Sequence, residues 1–364
     1  MKKPAVWCVL LAELLILLCG CQTAAPAEDS PAPQSVSVSR PQSQPEQSQP
    51  EPETRTAVLC INYIGHPILR IVQRGFSDSA LQLSYEWHVV GLADGSSEQM
   101  HAEWLRGVEQ YDADGALCWV GDDSGYEFLK KLHGMGVKTA VLHFPHSYAD
   151  TKEFIDVNVY PNLCSAADDI AEFMVRRLHD AGVYSGSIGI TISGSGCCTE
   201  EREETRVFRA YMEKHYPEYT VLKGVIEGVY TDQGQQMMTE YFLENPDLVA
   251  VLGSSGGSAQ FYTAAKQATG RDDIVAVAYD YSELNLELLD SGGVDALLAQ
   301  PLYEEAWLGV QLIDQMLNGQ DFAREEYLWR QDMDVPLIYR GGSGKSDPAY
   351  YAGLLARAQA ETGE

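Results

Sequence analysis

From residue 56 onward the chain alternates between short runs that are apolar at nearly every position and longer stretches in which apolar residues recur every three or four positions. The short runs TAVLCINY (56–63), YEWHVVGL (85–92), GALCWVG (115–121), VKTAVLHF (137–144) and FIDVNVY (154–160) read as strands. Between them ILRIVQRGFSDSALQL (68–83), EQMHAEWLRGVEQY (98–111) and YEFLKKLHGMG (126–136) carry the helical period. The alternation then resumes, with strands predicted over SIGITIS (187–193), YTVLKGVI (219–226), LVAVLG (248–253), DIVAVAYD (273–280) and VDALLAQ (294–300). Helices are predicted over 166–182, 201–215, 235–245, 257–270, 283–293 and 304–319. A strand with no polar face must be covered on both sides, which single crossover helices do in parallel sheets. Two such series predict an α/β fold of two doubly wound parallel-sheet lobes with a cleft between them.

The first 55 residues break the pattern. Met1-Lys2-Lys3 precedes an apolar run from Ala5 to Leu18, too short to span a bilayer comfortably and flanked like a secretion signal, so residues 1–20 read as a signal peptide. Leu18-Cys19-Gly20-Cys21 resembles the bacterial lipobox, with Cys21 as the lipidated residue; Cys19 and Glu13 are unusual at their positions, and an ordinary cleaved signal is the alternative. Residues 21–55 are rich in Pro, Gln, Ser and Glu, a composition that buries too little apolar surface to offset ordering, and read as a disordered tether. These features predict a body held outside the cell, close to the membrane.

Composition narrows the chemistry. Fifty-three acidic against 25 basic residues give a net charge of −28, which argues against binding a phosphate backbone. After Cys21 the thiols are Cys60, Cys118, Cys164, Cys197 and Cys198, with no C-x-x-C spacing and no metal or redox motif. Cys60 and Cys118 lie in apolar runs and read as small buried hydrophobes. Cys164 reads as a helix residue and Cys197-Cys198 as loop residues, with their disulfide state open.

Ligands of open parallel sheets sit beyond the carboxyl ends of the strands. The candidates there are Asn62, Tyr63 and His66; His143, Phe144, Pro145 and His146; Gly194-Ser195; Tyr230, Thr231 and Asp232; Ser254-Ser255; Asp280; and Gln300. GSSGG (253–257) matches a nucleophile elbow, but a hydrolase of that type needs a histidine after the serine and none follows His215. GGSGKS (341–346) imitates a phosphate loop with Tyr339 at the first required glycine, and 341–364 reads instead as a flexible C-terminal tail. SGSGCC (193–198) keeps two glycines of a G-x-G-x-x-G pattern and reads as a tight turn or a backbone donor to a polar ligand. His143 and His146 lack a clustered third metal ligand. Nothing here argues for an enzyme.

The lobes, lipobox and tether together resemble the extracytoplasmic solute-binding proteins of ABC transporters, of the type I ribose/galactose-binding-like family. The likeness spans about residues 56–340 and is carried by GHPILRIVQRGF (65–76), ENPDLVAVLGSSG (244–256), VAVAYDYSE (275–283) and LLAQPLYEEAWLGVQLIDQMLNG (297–319). It implies a three-crossing hinge, with lobe 1 at 56–160 plus 301–330 and lobe 2 at 161–300 plus 331–340. By position, Asp280 and Gln300 match the family's ligand-binding aspartate and glutamine, and Asn162 its hinge-proximal asparagine. Ser255 takes the place of a ligand-binding Asn, Tyr230 of a stacking Phe, and Ile68-Leu69 of two aromatics. His143-Phe144 replaces an Asp-Arg pair, and Glu204 falls where an arginine is usual, which admits a more aromatic or less hydroxylated ligand than a standard sugar. Asp280 has a competing role as cap of the helix starting near Ser282.

What the resemblance implies is capture of a monosaccharide or polyol, docking to ABC permease subunits, a membrane held through the lipid anchor, a monomeric state, no nucleic acid and no cofactor. Planar amides and carboxylates suit sugar hydroxyls, and rings suit its C–H faces. The alternatives are a sensing subunit for a membrane kinase or chemoreceptor, and a nucleoside or signalling molecule as ligand. A lactose-repressor-type regulator shares this core, but the N-terminus has no helix-turn-helix pattern.

Overall fold

The computed structural model describes residues 54–360 except 63, 65–66, 94, 122, 145–151, 193–202, 228–231 and 323–328. The stretch read as a signal peptide, Cys21 and the segment read as a tether up to residue 53 lie outside the described residues, as do Tyr63, His146, Cys197, Cys198 and Tyr230. The chain from Pro52 to Glu364 forms one compact unit holding two sheets.

The first half builds β1 (Thr56–Cys60), α1 (Pro67–Gln82), β2 (Glu86–Val90), α2 (Ser97–Gln110), β3 (Gly115–Cys118), α3 (Tyr126–Met135), β4 (Lys138–Leu142) and β5 (Val157–Pro161). The second builds α4 (Ala167–Asp180), β6 (Gly186–Ile192), α5 (Glu203–His215), β7 (Tyr219–Val221), β8 (Val225–Ile226), α6 (Asp232–Glu244), β9 (Leu248–Gly253), α7 (Ser258–Thr269), β10 (Val275–Tyr279), α8 (Glu283–Ser291) and β11 (Ala296–Leu298). The chain ends with α9 (Leu302–Leu317), β12 (Trp329–Met333), β13 (Leu337–Tyr339) and α10 (Pro348–Ala360).

The first sheet runs β12-β5-β4-β3-β1-β2 and is parallel throughout. The second runs β13-β11-β10-β9-β6-β7, with β8 also on β6, and is parallel except where β13 meets β11. Burial on both faces explains the apolar runs: every residue of β1, β3, β5 and β10 is buried. This is the α/β architecture of parallel-strand sheets that the alternation predicts.

The chain passes between the sheets three times, after β5, between β11 and α9, and between β12 and β13. The last passage lies at 333–337, a few residues beyond the expected boundary at 330. Helix α9 returns to the first sheet and packs on β3, β4, β5 and α1. Its approach to α1 is backbone-close at Gly75, where a Cβ would collide with the Tyr303 carbonyl. Trp104, fully buried under the first sheet, gives its indole N–H to the Ile61 carbonyl at 3.1 Å.

Three elements depart from the sequence reading. YTVLKGVI divides into β7 and β8 around Lys223-Gly224, where Gly224 passes against Ile192. Strand β12, WRQDM, goes unread because it is a sheet edge, where polar residues are tolerated. The expected flexible tail is instead largely helical. Asp347 accepts the Ala349 amide at 2.9 Å and Pro348 takes the first helical position, a start that needs no longer apolar run before it. Tyr351, Leu354, Leu355 and Ala358 of α10 are buried, and the helix packs on both α1 and α8.

Candidate functional site

At the carboxyl edge of the first sheet, β3 leads into Trp119 and β4 into His143-Phe144. His143 turns into the left-handed region at φ 73° while its amide donates to the Val159 carbonyl at 2.8 Å. Buried Asn158 on β5 anchors the end of β4 by donating to the carbonyls of Val141 at 2.9 Å and Phe144 at 3.0 Å. The His143 ring stacks on Trp119, centroids 4.4 Å apart and planes 12° apart, and Phe144 meets both rings edge-on. The other edge of the imidazole faces α9: Nδ1 lies 3.3 Å from Oε2 of Glu305. Burial pushes the Glu305 carboxyl up from its ordinary range, and the charge and hydrogen bond of His143 pull it back. Among the described residues, Glu305 Oε1 is buried with no hydrogen-bond partner.

The second sheet presents polar side chains at its carboxyl edge. Glu227, just past β8, is fully buried and accepts from Thr191 Oγ1 at 2.5 Å, Ser258 Oγ at 2.5 Å and Ser255 Oγ. Burial raises its carboxyl, and the three hydroxyls counter that rise. Ser255 of the GSSGG loop is thus held by a carboxylate. Asp280 follows β10 at φ 69°, its amide bonded to the Leu298 carbonyl at 3.0 Å. Its Oδ1 accepts from Gln300 Nε2 at 2.6 Å, so the residues ending β10 and β11 are joined directly. Asn285 Nδ2 ties the loops together by donating to the carbonyls of Gly256 and Asp280, both at 3.1 Å.

Asp280 does not cap α8: Ser282 does, its hydroxyl accepting from the Asn285 amide at 3.1 Å. Asn162 follows β5 at the first passage between sheets, where its Oδ1 accepts from Ser165 N–H at 3.2 Å and its own amide reaches the Met333 carbonyl at 3.1 Å. Ile68 opens α1 and lines a cavity of about 540 Å³ shared with Gly256, Ser282, Leu355 and Ala358. Glu204 lies in the first turn of α5. Asp280 therefore meets Gln300, and His143 meets Phe144, while Ser255 meets a residue the sequence did not flag.

Three functional candidates escaped the sequence. Trp119 ends an apolar run and looks like core; Glu227 follows a two-residue strand. Glu305 had a signal: it is a charge on the buried face of α9 beside Leu302, Ala306 and Gly309. Among the described residues, no group of three or more His, Cys, Asp or Glu side chains is placed to hold a metal.

Comparison with known proteins adds to this geometry. Residues 57–321 match the family described as Periplasmic binding protein domain. The D-apiose import binding protein of Actinobacillus succinogenes is 24% identical over 169 residues, 46% of this chain and 52% of that protein. The chain thus aligns with about half the length of that curated relative. Among solved structures, a sugar ABC transporter sugar-binding protein from Bacillus halodurans superposes with TM-score 0.69 at 14% identity, covering 82% of this chain and 100% of the other. The arabinose-binding protein AraP of Geobacillus stearothermophilus gives 0.68 at 16%, covering 79% and 97%. A solute-binding protein from Agrobacterium vitis, bound with α-D-tagatopyranose, gives 0.67 at 19%, covering 82% and 98%.

Proposed function

The chain belongs to the periplasmic binding protein family, and on that premise we propose that it is the extracytoplasmic substrate-binding subunit of an ABC importer for a monosaccharide or polyol. The observation that carries this reading is the division of chemistry between the two carboxyl edges, rings on one and a joined carboxylate and amide on the other. A sugar has both faces: C–H surface for Trp119, His143 and Phe144, and hydroxyls for Asp280, Gln300 and Ser255. Asn162, Ile68 and Glu204 complete the proposed lining from the described residues, and Tyr63 and Tyr230 belong to the same proposal from the sequence. The lobes close on the ligand and the closed form docks the permease. Cys21 carries the lipid, and the Pro- and Gln-rich segment after it spans from membrane to body. The names of the apiose, arabinose and tagatose-bound relatives support a sugar as ligand.

Thermal unfolding of the Pro52–Glu364 unit against pentoses, hexoses, polyols and nucleosides tests the proposal. A ligand at about 100 times its Kd adds about 2.7 kcal/mol, a rise of a few degrees for a protein this size. A rise with one sugar supports it; a rise with a nucleoside alone, or none, sinks the sugar reading. Capture from membranes tests the partner, since recovery of a receptor kinase in place of a permease would overturn the transport role.

A further inference from the structure

The lobe-one half of the site holds a carboxylate in an unusual state. Glu305 is 1% exposed, and its two oxygens differ: Oε2 meets His143 Nδ1 at 3.3 Å, whereas Oε1 is buried with no donor among the described residues. Buried acceptors in folded proteins are nearly always satisfied, and one that is not marks an unfilled role. A second acceptor in this condition, Asn62 Oδ1, lies just past β1 on the same carboxyl edge. The buried Tyr281 hydroxyl, next to Asp280, is pushed well up by burial first, then by Glu304, Tyr351, Asp280 and Glu305. The group that faces Glu305 is the His143 imidazole on the first lobe.

Resting on the sugar-binding reading, we infer that Glu305 is a specificity residue, selecting ligands that bring hydrogen-bond donors and carry no negative charge. A neutral polyol or an amino sugar supplies the donor Oε1 lacks. A sugar acid brings a second anion up to a buried carboxylate, where like charges repel far more than in water. Glu305 also acts as a positioning residue for His143: the contact at Nδ1 turns Nε2 to the opposite edge of the ring, away from α9.

The test uses the Pro52–Glu364 unit with matched sugars in the glucose, galactose and mannose series, each as the neutral hexose, the 2-amino sugar and the uronate. In any series that binds, the neutral and amino members should bind at least tenfold tighter than the uronate, and Glu305→Gln should shrink that ratio to below about threefold. Uronate binding as tight as the hexose, or a ratio unmoved by Glu305→Gln, overturns the inference while leaving sugar binding intact. Silence in every series, with no pentose or polyol raising the unfolding temperature either, overturns the sugar reading and this inference with it; a pentose found by that panel is compared as its neutral, amino and acid forms by the same criteria. A ligand-free readout separates selection from simple packing. Glu305→Gln keeps a partner for His143 while removing the charge that burial disfavours, so it should raise the unfolding temperature at pH 7; a fall shows that the carboxylate is structural and overturns the inference.

Discussion

Gln300 donates its side-chain amide to Oδ1 of Asp280 at 2.6 Å, linking the residues that end two hydrogen-bonded strands, β10 and β11. The contact sets a carboxylate and an amide together on a rigid sheet edge, and the left-handed backbone of Asp280 aims its side chain. Asp280→Asn tests the charge without disturbing that backbone, because asparagine tolerates the same φ. Binding of the proposed sugar should weaken by about 1–3 kcal/mol, the cost of losing a charged acceptor, while the unfolding temperature stays nearly constant. Isothermal titration with the ligand found by the thermal screen checks this; unchanged affinity removes Asp280 from the site.

Glu227 should make stability depend on pH in an uncommon direction. Its folded-state carboxyl is raised above the ordinary value of 4.5 by burial, so the folded chain holds that proton more tightly than the unfolded one. Its contribution is therefore fully present below about 4.5 and is lost as pH rises through the folded value. Against Glu227→Gln, the wild type should be relatively most stable near about pH 4.5 and lose ground toward about pH 7.5. Urea unfolding of both proteins across that range measures the slope, and a wild-type advantage that grows with pH would contradict it.

Gly75 sets the spacing of α1 and α9. Gly75→Ala places a methyl against the Tyr303 carbonyl, a backbone atom that moves only if the helices separate. Overpacking of this kind costs about 1–3 kcal/mol, more than the helix-propensity gain of alanine returns. Chemical denaturation gives the number, and a stabilised variant would show that the helices shift easily.

Cys60 and Cys118 sit side by side in register on β1 and β3, both fully buried. Burial, then its neighbour Cys118, pushes the Cys60 thiol well up, so it is a poor nucleophile as well as an inaccessible one. In the native protein a maleimide should modify half-exposed Cys164 long before Cys60, as read by peptide mass spectrometry.

Much of the architecture was legible because doubly covered strands must be apolar on both faces, and runs such as ALCW and AVAY have no other reading in an α/β chain. What escaped were elements stabilised by context. WRQDM forms β12 because β5 offers an edge, and α10 forms because α1 and α8 offer apolar surface just past a glycine-rich turn. The site divides the same way. Asp280 and Gln300 were candidates as strand-end residues and were singled out by the family likeness, but nothing in their spacing, 20 positions apart, predicts that they touch. Trp119 was hidden by being apolar in an apolar run, and Glu305 by lying within a core helix, where only its charge was out of place.

The last helix bears on the balance between open and closed forms. Tyr351 packs on Tyr281, ring centroids 4.5 Å apart, beyond the second sheet, and Gln359 bonds Glu283 at 2.6 Å. On the other side the Arg357 carbonyl accepts from Arg74 on α1 at 3.3 Å. Any motion that parts α1 from α8 must give up one set of these attachments and wet the apolar residues beneath. On the proposed hinge closure, the C-terminal helix would act as a spring clip, favouring the compact population before a ligand arrives and slowing its departure. A chain ending at Ser346 should then show a larger radius of gyration without ligand and faster dissociation with it, the residence time being set in part by the final helix.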